Sequence, residues 1–511
     1  MLSKILSYGL VGIEAYPIEI EVDVRQGLPS INFAGLPDQA TKESKDRIKC
    51  AINNSGFKYP AERITVNLAP ADIPKSGPAF DLAIALGILA SSSQINPESL
   101  ANFAFLGELS LDGSIRPVKG SLPIAITMRR DKNSCRRLVL PRINCAEAGI
   151  IREISAFGVK NLKETVHFLS EPDSLSPTKI DIQEVITDSG YPFDFQEVKG
   201  QALAKRALEI AAAGSHNVLM IGPPGSGKTM LAKRLPSILP DISLDEALET
   251  TTIHSSLGLV PSGIGLITQR PFYAPHHSIS DAAMVGGSQI PQPGEISLAH
   301  NGVLFLDELP EFRRNVLEAL RQPLEEGIIR ISRVNKSLSF PAKFMLVAAM
   351  NPCPCGFYTD PHKQCRCNTT KIERYLSKIS GPLLDRIDIH IEVPAIKFKE
   401  LASSDNPETS AEIRKRVKKA RDIQLKRFKD DGIFANSHIG TKQLKKYCAL
   451  DQEGQDLLKA AIEELGFSAR AYDKILKVAR TIADLDESDP IQVEHISEAI
   501  QYRSLDRKLW G

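Results

Sequence analysis

The fold follows from residues 222–229, which read Gly222-Pro223-Pro224-Gly225-Ser226-Gly227-Lys228-Thr229. A short apolar run, Val218–Ile221, precedes this stretch, and a helix-compatible segment, Met230–Leu235, follows it. The order strand, glycine-rich loop, helix is typical of a nucleoside triphosphate site, because small residues let backbone N–H groups surround phosphates at a helix N-terminus. An ordinary Gly/Pro turn would need neither flanking element. The stretch therefore predicts a P-loop within an α/β domain.

A second segment supplies the acids that such a loop requires. The apolar run Val303–Leu306 reads as a buried strand and ends in Asp307 and Glu308. In P-loop chemistry, Lys228 would reach the β- and γ-phosphates of ATP, while Thr229 and Asp307 would hold Mg²⁺. Glu308 is then placed to polarise the attacking water. Together the two segments predict ATP and Mg²⁺ as cofactors.

Composition sets broad limits on the rest of the chain. The 511 residues suggest about three domains, and 63 basic against 62 acidic side chains leave no bulk charge to attract nucleic acid. The first residues resemble a signal peptide only weakly, because Glu14 interrupts the apolar run, and the apolar stretch 79–90 is too short to span a bilayer. The sequence thus predicts a cytoplasmic protein without a membrane partner.

Hydrophobic periodicity divides the chain into four parts. Residues 1–170 alternate strand and helix patterns, residues 171–196 have linker composition with several prolines, and residues 197–394 form a second α/β block that holds the nucleotide motifs. Residues 395–511 lose the strand signal and form helical patterns. These helices are expected at 410–428, 441–450, 453–465, 469–485 and 491–502.

Three more polar side chains occur in an informative order after the P-loop. Asn351 follows the buried strand pattern 344–350, where its amide would order the attacking water. Arg386, expected just after the last core strand, is positioned to serve a neighbouring subunit, and Arg470 opens a helix. Taken alone, each arginine fits a surface ion pair. Their order favours a role at the nucleotide.

This ordered set resembles the AAA+ ATPases, specifically the clade of magnesium chelatase ATPase subunits and MCM helicases. By that resemblance Asn351 is sensor 1, Arg386 the arginine finger and Arg470 sensor 2. The segment 293–302 resembles the one that follows the clade's helix-2 insert, and residues 328–340 resemble its pre-sensor hairpin. Both insertions point into a central pore in relatives, which makes Lys336 a candidate pore contact.

The whole chain resembles the YifB/ComM family of magnesium chelatase-like proteins. The phrases that carry this resemblance are Gly35-Leu36-Pro37-Asp38, Ala211-Ala212-Ala213-Gly214-Ser215-His216-Asn217 and Ala274-Pro275-His276-His277. The resemblance implies a homohexameric DNA motor, a helicase that promotes branch migration in homologous recombination during natural transformation. The partners that it implies are DNA, either branched, single-stranded or double-stranded, and recombination proteins. It also implies that residues 395–511 form a helical lid.

Residues 1–170 resemble a Lon protease domain of the type found in chelatase subunits. The matching stretches are 74–81 and 107–113, and Ala79 holds the position of the serine nucleophile. The position of the lysine base falls near Leu122. A serine–lysine dyad needs a hydroxyl and an amine, so the domain is expected to be protease-inactive. Lys75 and Ser76 are weaker substitutes, since the turn differs.

Four of the eight cysteines crowd into the loop 353–367. Cys353, Cys355, Cys365 and Cys367 form the pattern C-x-C-x₉-C-x-C, with His362 between the pairs. Four thiolates suit tetrahedral Zn²⁺, although this spacing is tighter than the usual C-x₂-C, and reduced buried thiols are the alternative. The loop begins just after Asn351. The pattern predicts a structural zinc site that braces the sensor.

Two other functions remain open at this level. The chain would also fit a metal-chelatase ATPase subunit or a protein-remodelling AAA+ ATPase. One local feature favours DNA, namely nine basic against three acidic side chains in residues 411–430. A helix this basic is more often a solvated or ring-interface face, so DNA-stimulated ATP hydrolysis is the observation that separates the readings.

Overall fold

The computed structural model describes residues 2–35, 39–71, 75, 77–131, 135–181, 190–287, 291–333, 336–358, 363–395 and 407–505, without the side chains of residues 39–42, 332, 333 and 336. In chain order, the strands are β1 Leu2–Val11, β2 Glu14–Arg25, β3 Ser30–Ala34, β4 Arg63–Ala69, β5 Ala104–Phe105, β6 Glu108–Leu109, β7 Ile115–Arg116, β8 Arg137–Pro141, β9 Ser155–Val159, β10 Val218–Ile221, β11 Phe272–Tyr273, β12 Val303–Leu306, β13 Ile328–Arg333, β14 Lys336–Pro341, β15 Met345–Met350 and β16 Ile389–Glu392.

The α-helices are α1 Gln39–Asn54, α2 Asp81–Ser91, α3 Ser121–Arg130, α4 Cys145–Ala148, α5 Leu162–Ser170, α6 Ala202–Gly214, α7 Lys228–Arg234, α8 Leu244–Leu257, α9 Asp281–Val285, α10 Glu295–Leu298, α11 Arg314–Ala319, α12 Arg321–Glu326, α13 Thr369–Leu376, α14 Gly381–Leu384, α15 Ser410–Arg427, α16 Thr441–Tyr447, α17 Gln452–Leu465, α18 Ala469–Leu485 and α19 Val493–Gln501.

The chain divides into two compact units. The first contains Met1–Asp188 together with Leu244–Thr268 and Ser288–Pro293, and the second contains the remaining residues. Helix α8 therefore packs in the first unit although it follows the P-loop in sequence. Ser255 on α8 donates through its hydroxyl to the buried Glu147 carboxylate at 2.5 Å, and its carbonyl accepts from the Gly120 amide at 2.8 Å.

The first unit is built on a seven-stranded mixed sheet with the order β3-β4-β2-β1-β5-β8-β9. Strand β2 alternates buried Ile18, Ile20 and Val22 with charged neighbours, as a sheet with one covered face requires. Helix α2 is buried along its whole length. The predicted strand–helix alternation is confirmed here, while the long first strand Leu2–Val11 was not anticipated.

The second unit is built on a five-stranded sheet with the order β11-β12-β15-β10-β16, in which every recorded pairing is parallel. Strands β10, β12 and β15 are buried at every position. Continuous apolar strands are what a parallel sheet covered on both faces demands. Because the carboxyl ends of parallel strands share one edge, residues that follow β10, β12 and β15 are brought together.

The C-terminal helices and the hairpin follow their sequence patterns closely. Helices α15 to α19 lie at the five places where helices were expected, and β13 and β14 form the predicted antiparallel hairpin. The side chain of Lys336, the pore candidate, lies outside the described residues.

In the part of the chain that the structure describes, no helix is both long and apolar enough to cross a membrane.

Candidate nucleotide and metal sites

The P-loop connects β10 to α7, and its glycines have clear conformational causes. Gly225 and Gly227 adopt φ values of 80° and 86°, a region that side chains strongly disfavour. A Cβ on Gly222 would lie 2.1 Å from the Val393 carbonyl oxygen, so the backbone approaches β16 too closely for any side chain. The loop conformation therefore depends on glycine at each of these three positions.

Lys228 is held over the loop by the loop's own backbone. Its Nζ donates to the carbonyl oxygens of Gly222 at 2.7 Å and Pro223 at 2.9 Å, and lies 3.3 Å from the Asn351 Oδ1 atom. The side chain is buried, and this burial lowers the pKa of the Lys228 ammonium, although nearby Asp307 opposes the shift. Thus the charged end of Lys228 lies between the P-loop and the end of β15.

Thr229 and Asp307 form an oxygen pair beside that lysine. The Thr229 hydroxyl donates to Asp307 Oδ2 at 2.7 Å, and the other carboxylate oxygen accepts from the Glu308 backbone N–H at 3.0 Å. A hydroxyl and a carboxylate side by side are the kind of oxygen donors that Mg²⁺ prefers. The two residues fit a Mg²⁺ site, because both donors already meet across the edge of the sheet.

Glu308 adopts an unusual backbone conformation, with φ at 53°. Such a left-handed conformation is uncommon for a residue with a side chain and clusters at functional sites. Its Oε2 atom lies 3.4 Å from His277 Nδ1. His276 and His277 stack with ring centroids 4.1 Å apart, and His277 meets the buried ring of Phe312 edge-on at 6.4 Å. The sequence pattern had drawn attention to the two histidines without assigning them a role.

Sequence reasoning also missed Gln201. The backbone of this residue adopts φ 55°, and its side-chain Nε2 donates to the Ser226 carbonyl oxygen in the P-loop. Its Oε1 atom is buried without a hydrogen-bond partner among the described residues. Nothing in its local sequence pattern marks this contact, because Gln201 lies 25 residues before Ser226 in the chain.

Arg386 does not join the cluster around Lys228. Its guanidinium pairs with Glu325 and donates to the Pro382 carbonyl oxygen at 2.5 Å, and its side chain is 13% exposed. The expectation that Arg386 follows the last core strand is wrong, because it precedes β16 in the turn after α14. It therefore sits at the end of that strand opposite to the end that meets the P-loop edge.

Arg470 and the helix that it opens contact the same turn. Arg470 NH1 lies 3.5 Å from Asp385 Oδ2, and Lys474, one helical turn later, pairs with Asp388. Burial would raise the pKa of the Asp388 carboxyl, but the Lys474 ammonium and His216 outweigh it and hold that pKa well below its usual range. Helix α18 is thus tied by two ion pairs to the turn that carries Arg386.

The four cysteines of the loop 353–367 converge. Their sulfur atoms all lie within 4.8 Å of one another, and the Sγ–Sγ distances among Cys353, Cys355 and Cys365 are 3.3, 3.7 and 3.6 Å. Four thiolates at about 2.3 Å from a tetrahedral Zn²⁺ would be about 3.8 Å apart. Cys367 completes the set, and its backbone N–H donates to Cys365 Sγ at 3.4 Å. This donor set fits zinc, whereas His362 lies outside the described residues.

The basic stretch 411–430 is largely engaged in contacts within its own unit. Its contacts include ion pairs to Asp241, Glu209, Glu408, Glu487 and Asp484 and hydrogen bonds to α6 carbonyls. The basic residues involved are Arg414, Arg416, Lys418, Lys419, Arg421 and Arg427. Six of the nine basic side chains thus have partners within the chain, which reduces the weight of this stretch as an argument for DNA.

The protease-like positions in the first unit carry no dyad. Ala79 lines a cavity of about 340 Å³ together with Phe80, Val118 and Lys119, and Leu122 is fully buried. Lys75, one substitute considered from sequence, is also fully buried and donates to the Pro70 carbonyl oxygen, while Ser76 lies outside the described residues. The two positions that match the dyad, Ala79 and the region of Leu122, thus offer neither the hydroxyl nor the amine.

Fold and site together define an α/β P-loop protein of the magnesium chelatase-like AAA+ class. The family models agree: residues 20–144 match "Subunit ChlI of Mg-chelatase", residues 194–401 match "Magnesium chelatase, subunit ChlI" and residues 407–503 match its C-terminal part. The magnesium-chelatase 38 kDa subunit of Cereibacter sphaeroides is 26% identical over 32% of this chain and 53% of its own length.

Two relatives extend over nearly the whole length. Competence protein ComM of Haemophilus influenzae is 46% identical, covering 99% of this chain and 98% of its own. Protein YifB of Escherichia coli is 44% identical with the same coverage. The chain belongs to the YifB/ComM family.

Proposed function

We propose that this protein is an ATP-driven homohexameric DNA motor that promotes branch migration in homologous recombination during natural transformation. The observation that carries the motor is the meeting of Lys228, Thr229, Asp307 and Asn351 at one sheet edge. Its link to incoming DNA comes from the full-length similarity to a relative named as a competence protein. The cell compartment proposed is the cytoplasm.

The residues at the sheet edge have separate tasks in hydrolysis. Lys228 binds the β- and γ-phosphates of ATP, for which its ammonium exchanges the Gly222 and Pro223 carbonyls that it contacts here. The backbone N–H groups of residues 225–229 surround the phosphates. Thr229 and Asp307 hold Mg²⁺, which when bound neutralises charge on the phosphate oxygens. Glu308 accepts a proton from the attacking water, and Asn351 orders that water.

Arg386 and Arg470 complete the site of a neighbouring subunit. Support for this comes from their contacts, since Arg386 pairs with Glu325 and Arg470 with Asp385 at the end of β16 remote from the P-loop edge. A guanidinium presented in trans stabilises charge on the transferred phosphoryl group. The active form proposed is therefore a ring, in which every site is shared by two chains.

A structural Zn²⁺ bound by Cys353, Cys355, Cys365 and Cys367 is part of the proposal. The sulfur distances of 3.3 to 3.7 Å are close to those of a tetrahedral thiolate site. The loop leaves β15 directly after Asn351, so an ion there would restrain the residue that orders the water. Zinc would supply no chemistry to hydrolysis.

DNA is proposed to run through the pore of the ring, held at its phosphates. Most basic side chains of helix α15 pair with groups in the same chain. The hairpin β13–β14 and the segment before β12 are therefore the better candidates for DNA contact. Backbone binding of this kind is insensitive to base sequence and weakens steeply as salt rises. Recombination proteins are proposed as further partners.

The decisive experiment measures ATP hydrolysis with and without a labelled four-way junction, and junction processing in the same samples. We expect DNA to stimulate hydrolysis and junctions to be processed only with hydrolysable ATP. Glu308→Gln, which keeps the shape of the side chain but not its basicity, is the matched control that should bind ATP without either activity.

A chelatase subunit or a protein-remodelling ATPase would behave differently in that assay. Either would hydrolyse ATP at a rate that DNA does not change, and either would leave the junction intact. That outcome would refute the DNA motor and retain the ATPase. Chelatase family models match most of the chain, but the relatives that match it over nearly its whole length are a competence protein and YifB, and the 38 kDa chelatase subunit is similar over 32% of it.

A further inference from the structure

The turn that carries Arg386 contains a buried carboxylate, Asp388, whose side chain is only 1% exposed. Its charged partner is the ammonium of Lys474 on helix α18, and its Oδ2 atom accepts from the Asn217 backbone N–H at 2.9 Å. Removing a carboxylate from water is costly, and an apolar pair of similar volume is often at least as stable. Stability alone therefore does not explain why an ion pair joins α18 to this turn.

Asn217 connects that carboxylate to the backbone of Arg386. Its side-chain Nδ2 donates to the Arg386 carbonyl oxygen at 3.0 Å, and its Oδ1 accepts from the Leu346 amide of β15 at 2.8 Å. The Asn217 carbonyl oxygen accepts from the amides of Asp388 and Ile389, both at 3.0 Å. The backbone of Arg386 is thus held by a residue whose own N–H the Asp388 carboxylate holds.

His216 forms a second link between Asp388 and helix α18. Its ring is fully buried, with Nδ1 at 3.5 Å from Asp388 Oδ2 and Nε2 at 2.7 Å from the Thr481 hydroxyl oxygen. Thr481 lies two helical turns after Lys474, on the same face of α18. A Cβ on Gly214 would come within 2.3 Å of His216 Nε2, so the glycine leaves room for the ring. One face of α18 therefore contacts Asp388 twice, once directly and once through His216.

These contacts couple the direction of α18 to the position of Arg386, and all of them lie within the second compact unit. A rotation of α18 that moves Lys474 must also move Asp388, because a buried carboxylate left without its partner is strongly unfavourable. Movement of Asp388 reaches Arg386 along the turn and through Asn217. Coupling of this kind needs only a contiguous chain of buried, hydrogen-bonded groups.

We propose that Lys474 is a positioning residue for the arginine finger, and that through Asp388 it fixes Arg386 where the guanidinium serves the neighbouring subunit. The inference rests on the proposed function, in which Arg386 acts on the site of the next chain. In this role Lys474 acts through Arg386 and does not bind the nucleotide. Its effect on hydrolysis therefore falls on the neighbour's site, while ATP binding by its own subunit is unchanged.

The competing explanation is an ion pair that only stabilises the fold. Loss of such a pair lowers the melting temperature, but subunits that remain folded keep their turnover. Loss of a positioning pair instead lowers kcat in folded subunits and leaves ATP affinity unchanged. The two explanations differ most in mixed rings, because only the positioning role predicts a defect that a neighbouring subunit can correct.

The first test compares Lys474→Met and Lys474→Arg with wild type in DNA-free steady-state ATP hydrolysis, at a temperature at which every variant is folded. Lys474→Met should lower kcat by about 100-fold, the effect of misplacing a catalytic group by about 1 Å, with ATP affinity unchanged. Lys474→Arg should retain most of the turnover. A cavity of about 280 Å³, lined in part by Lys474, leaves room for the larger cation.

Arg416→Met is the matched control, because it also removes the cationic partner of a buried carboxylate. Arg416 Nε lies 2.5 Å from Glu209 Oε1, and the Glu209 side chain is 7% exposed. This pair joins α15 to α6 instead of α18 to the Arg386 turn. The control should lower the melting temperature and leave kcat close to that of wild type.

Mixed rings give the readout that a purely structural role would not change. Lys474→Met and Lys228→Ala subunits should regain activity together, because the second supplies a well-placed arginine to the intact P-loop of the first. Lys474→Met mixed with Arg386→Ala should show no recovery, since both lack the same half of the shared site. The double variant Lys474→Met/Arg386→Ala should turn over as slowly as Arg386→Ala, because both changes act through one group.

Two results would overturn the inference: a Lys474→Met variant with the turnover of Arg416→Met, or one that Lys228→Ala subunits fail to rescue although they rescue Arg386→Ala. Failure of the proposed function gives other results. A wild-type enzyme that DNA does not stimulate refutes the DNA motor and leaves this DNA-free comparison intact. Absence of recovery in the Arg386→Ala mixtures refutes the shared site and the positioning role together.

Discussion

The candidate nucleotide site in the second unit and the protease-like cleft in the first both lie on α/β scaffolds, yet only the candidate nucleotide site brings its predicted side chains into contact. At the candidate nucleotide site, Lys228 Nζ lies 3.3 Å from Asn351 Oδ1, and the Thr229 hydroxyl donates to Asp307 Oδ2 at 2.7 Å. In the cleft, the nucleophile position is Ala79, and Leu122 near the base position is fully buried.

The difference teaches where titratable groups are used for reaction and where they are used for packing. Around the P-loop, the charged ends meet at an open sheet edge that a ligand can reach. Beside the cleft, buried Asp81 instead bonds Arg47 at 3.0 Å and the Leu109 amide at 3.3 Å, so its carboxylate joins helices α1 and α2 to strand β6. Five measurements test this contrast.

The largest effect should come from Glu308→Gln. Removal of a general base costs about 10²–10⁴-fold in kcat, while ATP affinity should stay close to that of wild type. Lys228→Ala should instead weaken ATP binding by about ten-fold or more, since a charge-assisted contact is lost. Stopped-flow binding and steady-state hydrolysis separate the two; a Glu308→Gln variant with wild-type turnover would contradict the assignment.

The next effect concerns sites shared between subunits. Arg386→Ala should lower turnover by about 10³-fold, the effect of removing an arginine finger. Mixed with Lys228→Ala subunits, it should regain part of the activity, because some interfaces then pair an intact P-loop with an intact arginine. Titrated mixtures of the two variants measure this recovery of activity. Lys228→Ala subunits mixed with the Lys228→Ala/Arg386→Ala double variant should stay inactive. No recovery, together with a monomer by mass photometry in saturating ATP and DNA, would refute the ring.

Removal of the thiolates should have an intermediate effect. The purified protein should contain about one zinc per chain, and Cys365→Ser/Cys367→Ser should lose both the metal and thermal stability. Elemental analysis of protein never exposed to chelator decides this. Cys50→Ser/Cys135→Ser is the control that should keep the zinc. Four titratable thiols in an unmutated, zinc-free protein would contradict the site.

A smaller effect should appear at Asp81 as pH changes. Burial raises the pKa of this carboxyl to about 6, although Ser44 and Arg47 oppose the shift. Its neutral form is the stable one when buried, so its contribution is full below about pH 4 and is lost as pH rises through about 6, by on the order of 1–3 kcal/mol. The melting temperature of Asp81→Asn relative to wild type should therefore rise over that interval. A constant difference, as expected for exposed Asp46→Asn, would contradict it.

The smallest effect should be on proteolysis, where we expect none. Casein should remain intact with or without ATP, because the nucleophile position is Ala79, and Ala79→Ser alone should not restore cleavage, because the position of the lysine base falls near the buried Leu122. Gel analysis after prolonged incubation measures this. Cleavage that survived purification and vanished in Ser76→Ala would show that the cleft retains a nucleophile.

Local pattern was enough to predict the central strands of the second unit and the C-terminal helices. Strands β10, β12 and β15 are short continuous apolar runs, and helices α15 to α19 have clear helical periodicity, so their positions follow from nearest neighbours in sequence. Arg386 was predicted to follow the last core strand, but it precedes β16. The sequence pattern did not show that the turn after α14 comes before this strand. The boundaries drawn at 170, 196 and 394 stay predictions.

The sequence by itself determined the class of site, because P-loop, acidic strand and cysteine pairs each place their chemistry within a few residues. Only the tertiary structure decided which distant groups meet. It packs α8 into the first unit, ties α18 to the turn of Arg386, and sets His277 against Glu308. Such contacts depend on strand order and helix packing, which bring together residues that no local period relates.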